Sequence, residues 1–233
     1  MMCGIAGFFN APVEVGDQPR VIERMNRALH HRGPDAGGYW QSTNDSLVLG
    51  HRRLAILDLS DSGRQPMHSP SGRYTISFNG EIYNFHALRH DLQLKGYVFH
   101  TETDTEVMLA AFEAWGIEES VLRFRGMFAF AVHDAKTSCC FLVRDRLGIK
   151  PCYYARASRG WVFGSQIRAL EQCPGFERQI DKEAMGLFLL EAWLLSKLFI
   201  YDQHRRTTDG VSADADPNPH AADDGEAATS PET

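Results

Sequence analysis

The 233-residue sequence lacks the features that mark several large classes of protein. No basic stretch followed by an apolar run opens the chain, so no secretory signal is visible. The net charge of −6 provides no basic face, which argues against nucleic acid or an anionic membrane as the main partner. Five cysteines, without any C-x-x-C spacing, fit neither a disulfide framework nor a thiolate zinc site. We therefore expect a cytoplasmic protein with no metal site.

Short apolar runs alternate with a few helical stretches between Cys3 and about residue 176. The predicted strands are "CGIAGFF", "SLVLGHRRLAIL", "YTISFNGEIY", "MFAFAVHD", "CCFLVRD" and "WVFGS". Two stretches, "QPRVIERMNRALHH" and "DTEVMLAAFEAWG", carry apolar residues at helical spacing, and the second opens at an Asp or Thr cap. Apolar strands with amphipathic helices between them predict a layered arrangement of sheets and helices.

The end of the chain differs in character from the rest. Residues 184–201, "AMGLFLLEAWLLSKLFIY", are apolar nearly all round, as an isolated surface helix is not. A membrane span is the alternative, but Glu191 and Lys197 interrupt it and its length is marginal. Residues 202–233 are polar and often acidic and contain no Phe, Trp or Tyr, which predicts disorder.

Four short stretches are unusual for a purely structural role, although each has an ordinary explanation. "HHRGPDAGG" fits a turn after a helix, which leaves Arg32 and Asp35 unexplained. "GHRRLAILD" sets two arginines in an apolar strand, where one side chain faces inward and needs an anionic partner. "FNGEIYN" contains an Asn-Gly pair, whose default is a hairpin turn. In "TETDTEV", Asp104 stands at a predicted helix N-cap.

Together, these stretches fit the cleavage of a glutamine side-chain amide. That reaction calls for a thiolate nucleophile and for donors aimed at the developing oxyanion. Cys3 can supply the thiol, while the Asn79 side chain and the Gly80 backbone N–H are suitable donors. A buried arginine can bind the α-carboxylate of the free amino acid, and an aspartate can bind its α-ammonium group.

Seven motifs carry a resemblance to a known family: "CGIAGFF", "HRGPDAGG", "GHRRLAILD", "FNGEIYN", "TDTEV", "GMFAFAVHD" and "RDRLGIKPCYY". In this order they resemble the glutaminase domain of the asparagine synthetases, a class II glutamine amidotransferase domain. The resemblance covers roughly residues 3–190. It implies an α+β fold, namely the four-layer α-β-β-α sandwich of the N-terminal-nucleophile hydrolases.

The resemblance also implies roles for individual residues. Cys3 would be the nucleophile and its own α-amine the general base, while Asn79 and Gly80 would form the oxyanion hole. Arg53 would hold the glutamine α-carboxylate, and Glu81 and Asp104 would bind the amino-acid end of the substrate. The backbone after Arg53 would assist, over Leu54, Ala55, Ile56 and Leu57. The implied intermediate is a γ-glutamyl thioester, which is hydrolysed to glutamate after ammonia has left.

Three departures from the family pattern qualify these expectations. The family begins Met-Cys, whereas this chain begins Met1-Met2-Cys3, and we interpret Met2 as the true initiator. The synthetase domain is missing, since neither S-G-G-x-D-S nor G-x-x-x-x-G-K-[ST] occurs. We therefore expect no cofactor in this chain, with ATP and magnesium confined to the missing domain. We interpret residues 191–201 and the tail at 202–233 as the product of a frameshift or truncation.

Two other functions stay open at this point. One is the glutaminase domain of another class II amidotransferase, serving glucosamine-phosphate or phosphoribosylamine synthesis. The other is a non-catalytic module that binds glutamine or a partner. The expected partners are L-glutamine and a separate synthetase domain or subunit, and the sequence leaves a homodimer open.

Overall fold

The computed structural model describes residues 3–43, 46–54, 63–179, 182 and 205–206. Within them the strands form two antiparallel sheets. The order of the first sheet is β10 (Arg205–Arg206), β8 (Tyr153–Ala157), β9 (Gly160–Gly164), β1 (Gly4–Phe9), β3 (Leu47–Arg53) and β2 (Ala36–Gln41). The order of the second sheet is β4 (Met67–His68), β5 (Tyr74–Ile82), β6 (Gly126–Asp134) and β7 (Cys139–Arg144).

Helices cover the outer face of each sheet. On the first sheet lie α1 (Gln18–Ala28) and the short α5 (Ile167–Leu170). On the second lie α2 (Phe85–Leu94), α3 (Asp104–Trp115) and α4 (Ile117–Arg123). A 3-10 turn, Val15–Asp17, leads into α1. The described chain is thus a four-layer stack in the order helix, sheet, sheet, helix.

Three apolar clusters correspond to the three spaces between these layers. The first lies between α1, α5 and the first sheet, and includes Val21, Ile22 and Phe8. The second lies between the second sheet and its helices and includes Phe112 and Phe130. The third lies between the two sheets and is formed by Ile5, Leu47, Leu49, Ala129, Ala131, Leu142, Cys152 and Phe163.

Side-chain alternation decides what each strand presents to the space between the sheets. In β3, Leu47 and Leu49 face the second sheet, while Val48 packs toward α1. In β5, Ile76 and Phe78 pack toward the helices, so the odd-numbered residues face the first sheet. The facing set therefore includes His51 and Arg53 from β3, and residues 77, 79 and 81 from β5.

Two hydrogen bonds link the sheets directly. Nε2 of His51 in β3 donates to the carbonyl of Phe78 in β5 at 3.0 Å. The hydroxyl of Ser77 donates to the carbonyl of Gly50 at 2.9 Å. Both bonds are buried, and each satisfies a carbonyl that has been removed from water.

The predicted strands are present as β1, β3, β5, β6, β7 and β9. Asn79 and Gly80 lie inside β5, as the predicted strand "YTISFNGEIY" requires, and do not form the hairpin turn that is the default for an Asn-Gly pair. The N-cap of α3 is Thr103, whose hydroxyl accepts from the Glu106 N–H, so Asp104 is free for another contact.

Much of the predicted C-terminal region lies outside the described residues, including the apolar segment 184–201. Of the tail at 202–233, only Arg205 and Arg206 are described, and they pair with Tyr154 and Tyr153 of β8. Among the helices that the structure describes, none is both long enough and apolar enough to cross a membrane. The boundaries at 190 and 201 stay predictions.

We predict that His51 makes stability depend on pH. Burial lowers the pKa of His51 to about 4, whereas an unfolded histidine titrates near about 6.5. Between these values the unfolded chain binds the extra proton, so stability falls as the pH falls. From pH 7 to pH 5 this residue should lower the free energy of unfolding by about 2 kcal/mol.

Urea unfolding of the wild type and of His51→Gln at both pH values tests this. The other histidines are common to both chains. Between pH 7 and pH 5 the free energy of unfolding should therefore fall by about 2 kcal/mol more in the wild type than in the variant. Equal losses in the two chains would contradict the prediction.

Candidate active site

Cys3 lies directly before β1, at the edge of the space between the sheets. Its Sγ accepts a hydrogen bond from the Leu54 N–H at 3.4 Å and lies 3.7 Å from the Leu54 carbonyl oxygen. Burial raises the pKa of the Cys3 thiol above its ordinary value. The Leu54 N–H opposes that rise, as do three nearby cations, Arg53, Lys150 and Arg32. The thiol is therefore desolvated but surrounded by groups that favour its thiolate.

Arg32, from the segment after α1, holds the backbone of Cys3. Its Nε donates to the Cys3 carbonyl at 3.0 Å, and the side chain is buried. Its Nη2 is buried and has no hydrogen-bond partner among the described residues. Burial lowers the pKa of Arg32, and the neighbouring Cys3 raises it. The guanidinium thus fixes the position of the thiol-bearing residue and adds positive charge beside it.

The two adjacent arginines of β3 have separate environments. Arg52 donates to the carbonyls of Gly33 and Pro34 at 2.8 and 3.2 Å and contacts Nδ1 of His30 at 2.6 Å. Arg53 points the other way, toward Cys3 and the backbone of Gly63. A Cβ at Gly63 would come within 2.5 Å of the Arg53 guanidinium, so the two groups lie in close contact. Arg52 therefore anchors a loop, while Arg53 reaches the site.

Asn79 and Gly80 lie in β5, across from the strand that follows Cys3. Asn79 is buried, and its Nδ2 has no hydrogen-bond partner among the described residues. An unpaired amide donor in a buried position is costly unless a ligand completes it. Gly80 packs so closely on β6 that a Cβ would come within 2.4 Å of the Met127 carbonyl oxygen.

The free edge of β5 explains how the Gly80 N–H is presented. The N–H groups of Phe78, Gly80 and Ile82 point to one edge, because backbone N–H groups alternate along a strand. The Gln65 side chain accepts from the Phe78 N–H at 2.6 Å, and the Asp104 side chain accepts from the Ile82 N–H at 3.0 Å. The N–H of Gly80 lies between these two occupied positions, and the described part of β4 ends before it.

Asp104 and Glu81 bring negative charge to the same region. Asp104 is the first residue of α3 and is buried. Burial raises the pKa of Asp104, the N–H groups of Ile82 and Thr105 lower it, and the charge of Glu81 raises it. Two carboxylates thus lie within electrostatic reach of each other, an arrangement that attracts a cationic group.

The loop from Asp145 to Lys150 adds a cation that the sequence had not assigned to the site. The Asp145 carboxylate accepts from the backbone N–H groups of Ile149, Lys150 and Phe128 at 2.9, 3.0 and 3.2 Å. Arg144 donates to the Lys150 carbonyl at 2.6 Å. Lys150 is buried, and burial lowers its pKa, while Cys3, Glu81 and Asp145 raise it. The loop therefore delivers an ammonium group to the surroundings of Cys3.

Comparison with known proteins identifies the fold and the family. A family model described as "Glutamine amidotransferase domain" matches residues 2–221. The chain belongs to this family. Its members are glutamine-using amidotransferases, the enzyme class that the sequence motifs had indicated.

Two curated relatives come from Bacillus subtilis strain 168. This amidotransferase domain is 37% identical to asparagine synthetase [glutamine-hydrolyzing] 3, over 79% of its own length and 30% of that protein. It is 39% identical to asparagine synthetase [glutamine-hydrolyzing] 1, over 81% of its own length and 29% of that protein. The chain thus spans about a third of the length of the curated relatives it matches.

A solved structure shares the fold. Glutamine phosphoribosylpyrophosphate amidotransferase from B. subtilis, complexed with ADP and GMP, matches with a TM-score of 0.63 and 19% sequence identity. The match covers 77% of this chain and 45% of that one. The predicted α+β fold, a four-layer sandwich of the N-terminal-nucleophile hydrolase type, is confirmed.

The structure brings the predicted site residues to one region of the amidotransferase domain, except those outside its described part. Cys3, Arg53 and Leu54 come from the first sheet, and Asn79, Gly80, Glu81 and Asp104 from the second sheet and α3. Ala55, Ile56 and Leu57 lie outside the described residues. Sequence reasoning gave Arg32 no role and interpreted "RDRLGIKP" as structural or as a surface for a synthetase domain. Lys150 is the lysine of that motif, and its charge within the motif was the signal that could have marked it as a site residue.

We predict that Lys150→Met makes Cys3 less reactive at neutral pH. Loss of the ammonium group removes a charge that lowers the thiol pKa, so the midpoint pH of alkylation should rise. The rate of iodoacetamide addition to Cys3 against pH, measured by mass analysis of the N-terminal peptide, gives this midpoint. Lys136→Met, in an exposed turn, is the matched control. An unchanged midpoint in Lys150→Met would contradict the assignment.

Proposed function

We propose that this chain hydrolyses L-glutamine to glutamate and ammonia through a thioester on Cys3. The observation that carries the proposal is a desolvated thiol, beside three cations, in the same region as a buried and unpaired amide donor. A thiolate and an uncompensated donor are the two groups that acyl transfer from an amide requires.

In the first step, the Cys3 sulfur attacks the side-chain carbonyl carbon of glutamine. The free α-amine of Cys3 accepts the thiol proton, since its reference pKa of about 8 is near the working pH. The oxyanion that forms accepts hydrogen bonds from Asn79 Nδ2 and the Gly80 N–H. The tetrahedral intermediate collapses, the C–N bond breaks, and the α-ammonium returns its proton to the departing ammonia.

In the second step, water attacks the γ-glutamyl thioester. The α-amine of Cys3 takes a proton from the water, and the same two donors stabilise the second oxyanion. The C–S bond then breaks to release glutamate, and the α-ammonium returns its proton to the departing sulfur, which restores the thiol and the free amine. Both steps require Cys3 to be the first residue of the active chain, because an α-nitrogen held in a peptide bond is not basic.

Three charged residues would select the free amino acid. Arg53 can bind the α-carboxylate in a bidentate manner, with the backbone of residues 54–57 assisting. Glu81 and Asp104, which lie within electrostatic reach of each other, would bind the α-ammonium group. A glutamine within a protein lacks both end groups and would be rejected.

The two curated relatives are asparagine synthetases, and this supports a role as the glutaminase part of an amidotransferase of that type. A synthetase domain or subunit would receive the ammonia and would bind ATP and magnesium. Glutamine hydrolysis by this chain would itself need no cofactor. The expected setting is the cytoplasm, where five free cysteines stay reduced.

Glutamate release from glutamine by the purified full chain tests the function, with the intact mass recorded on the same sample. Turnover in molecules that begin at Cys3, abolished in Cys3→Ala and kept in Cys139→Ala, is the expected result. Cys139 is a partly buried cysteine at the far end of β7 from the site. Correctly processed chains that do not turn over would exclude catalysis and favour a glutamine-binding module.

We predict that Asn79→Ala lowers kcat without a matching change in KM. Removal of one oxyanion donor should lower kcat about 10²–10³-fold, because the bond forms only as charge develops. Steady-state glutamate release measures both constants. Asn84→Ala is the control, since Asn84 donates to the Arg123 carbonyl on the surface. A change in KM alone would assign Asn79 to substrate binding.

A further inference from the structure

The nucleophile and the oxyanion donors lie on different sheets. Cys3 precedes β1 and contacts Leu54 at the end of β3, both in the first sheet. Asn79 and Gly80 lie in β5 of the second sheet. No strand pairing joins these sheets among the described residues, so contacts across the gap set the distance between the two parts of the site.

His51 makes such a contact at the relevant level of the sheets. It pairs in register with Ile5, two residues after Cys3. Its Nε2 donates to the carbonyl of Phe78, the residue directly before Asn79. The side chain is 1% exposed, so no solvent competes for this bond.

The peptide groups of Phe78 are held on both sides. The His51 ring binds the Phe78 carbonyl at 3.0 Å, and Gln65 accepts from the Phe78 N–H at 2.6 Å. Gln65 in turn donates from Nε2 to Thr105 at 3.3 Å, and so links to the start of α3. The Phe78 carbonyl and the Asn79 nitrogen belong to one planar peptide group. The orientation of this carbonyl therefore sets the position of the Asn79 backbone.

We propose that His51 is a positioning residue that holds the oxyanion donors of β5 at the correct distance from Cys3. The proposal rests on the proposed glutaminase function. His51 touches neither the substrate nor the reacting atoms; it acts through the peptide between Phe78 and Asn79. Loss of the imidazole donor would let this peptide turn and would displace both Asn79 Nδ2 and the Gly80 N–H.

The expected signature differs from that of a purely structural histidine. Misplacement of donors by about 1 Å can cost about 10²-fold in rate, whereas ground-state binding through Arg53 would be kept. His51→Leu should therefore lower kcat about 10²-fold with KM changed less than about threefold. His51→Gln can place an amide N–H near the position of Nε2 and should recover most of the loss.

The γ-aldehyde analogue of glutamate provides a readout specific for the oxyanion. The Cys3 sulfur adds to its carbonyl carbon, the carbonyl oxygen becomes the oxyanion of a thiohemiacetal, and no bond to a leaving group breaks. Its inhibition constant against glutamine turnover should rise in His51→Leu by about the same factor as kcat falls. His133→Leu is the matched control, because His133 is also buried between the sheets, opposite Thr75 and beside Trp40.

The outcomes separate this inference from the proposed function. A selective loss of kcat and of aldehyde affinity in His51→Leu, with rescue in His51→Gln and none of this in His133→Leu, supports it. If the wild type turns over and His51→Leu has the same kcat and aldehyde inhibition constant, the inference alone is overturned. Equal losses of kcat in His51→Leu and His133→Leu would overturn it in the same way. A processed wild type that neither turns over nor binds the aldehyde would overturn the proposed function as well. If His51→Leu does not fold, His51→Phe keeps a ring without a donor and replaces it.

Discussion

The face-to-face packing of the two sheets is the constraint on which the rest of the molecule depends. Small side chains in β6, Ala129 and Ala131, meet Leu49 of β3 in a layer that excludes water. Buried hydrogen bonds also cross this layer, since His51 and Ser77 each donate to a backbone carbonyl of the opposite sheet. The site residues come from both sheets, so the packing of this layer sets the distances between them.

Charge and burial act in opposite directions at the site. Burial raises the pKa of Cys3 and lowers that of Lys150, so each group alone would tend toward its neutral form. Their mutual attraction opposes both shifts, whereas the charge of Arg32 opposes the shift of Cys3 and adds to that of Lys150. Each group therefore favours the charged form of the other, although burial keeps the pKa of Cys3 above its ordinary value and that of Lys150 below.

Local patterns predicted most of the strands, because alternating apolar residues carry their own signal. The Asn79-Gly80 pair on its own favours a hairpin turn, against the strand pattern around it, and the pairing with β6 that keeps the strand straight comes from residues almost fifty positions later. It assigned the N-cap to Asp104, although Thr103 occupies it and the carboxylate binds the Ile82 N–H instead. Lys150 and His51 stand within two of the seven motifs, but sequence reasoning assigned neither a role, because their roles depend on long-range contacts.

The Asp145 loop separates what is fixed from what can vary. One carboxylate holds three backbone N–H groups, so the loop keeps its path through main-chain bonds that are indifferent to side-chain identity. Leu147, at the tip, is 85% exposed, while Lys150 is buried a few residues away. Substitutions at the tip can therefore alter the outer surface, and whatever it meets, without moving the lysine. The exposed tip of this loop can therefore change in sequence while the buried lysine of the same six residues keeps its place.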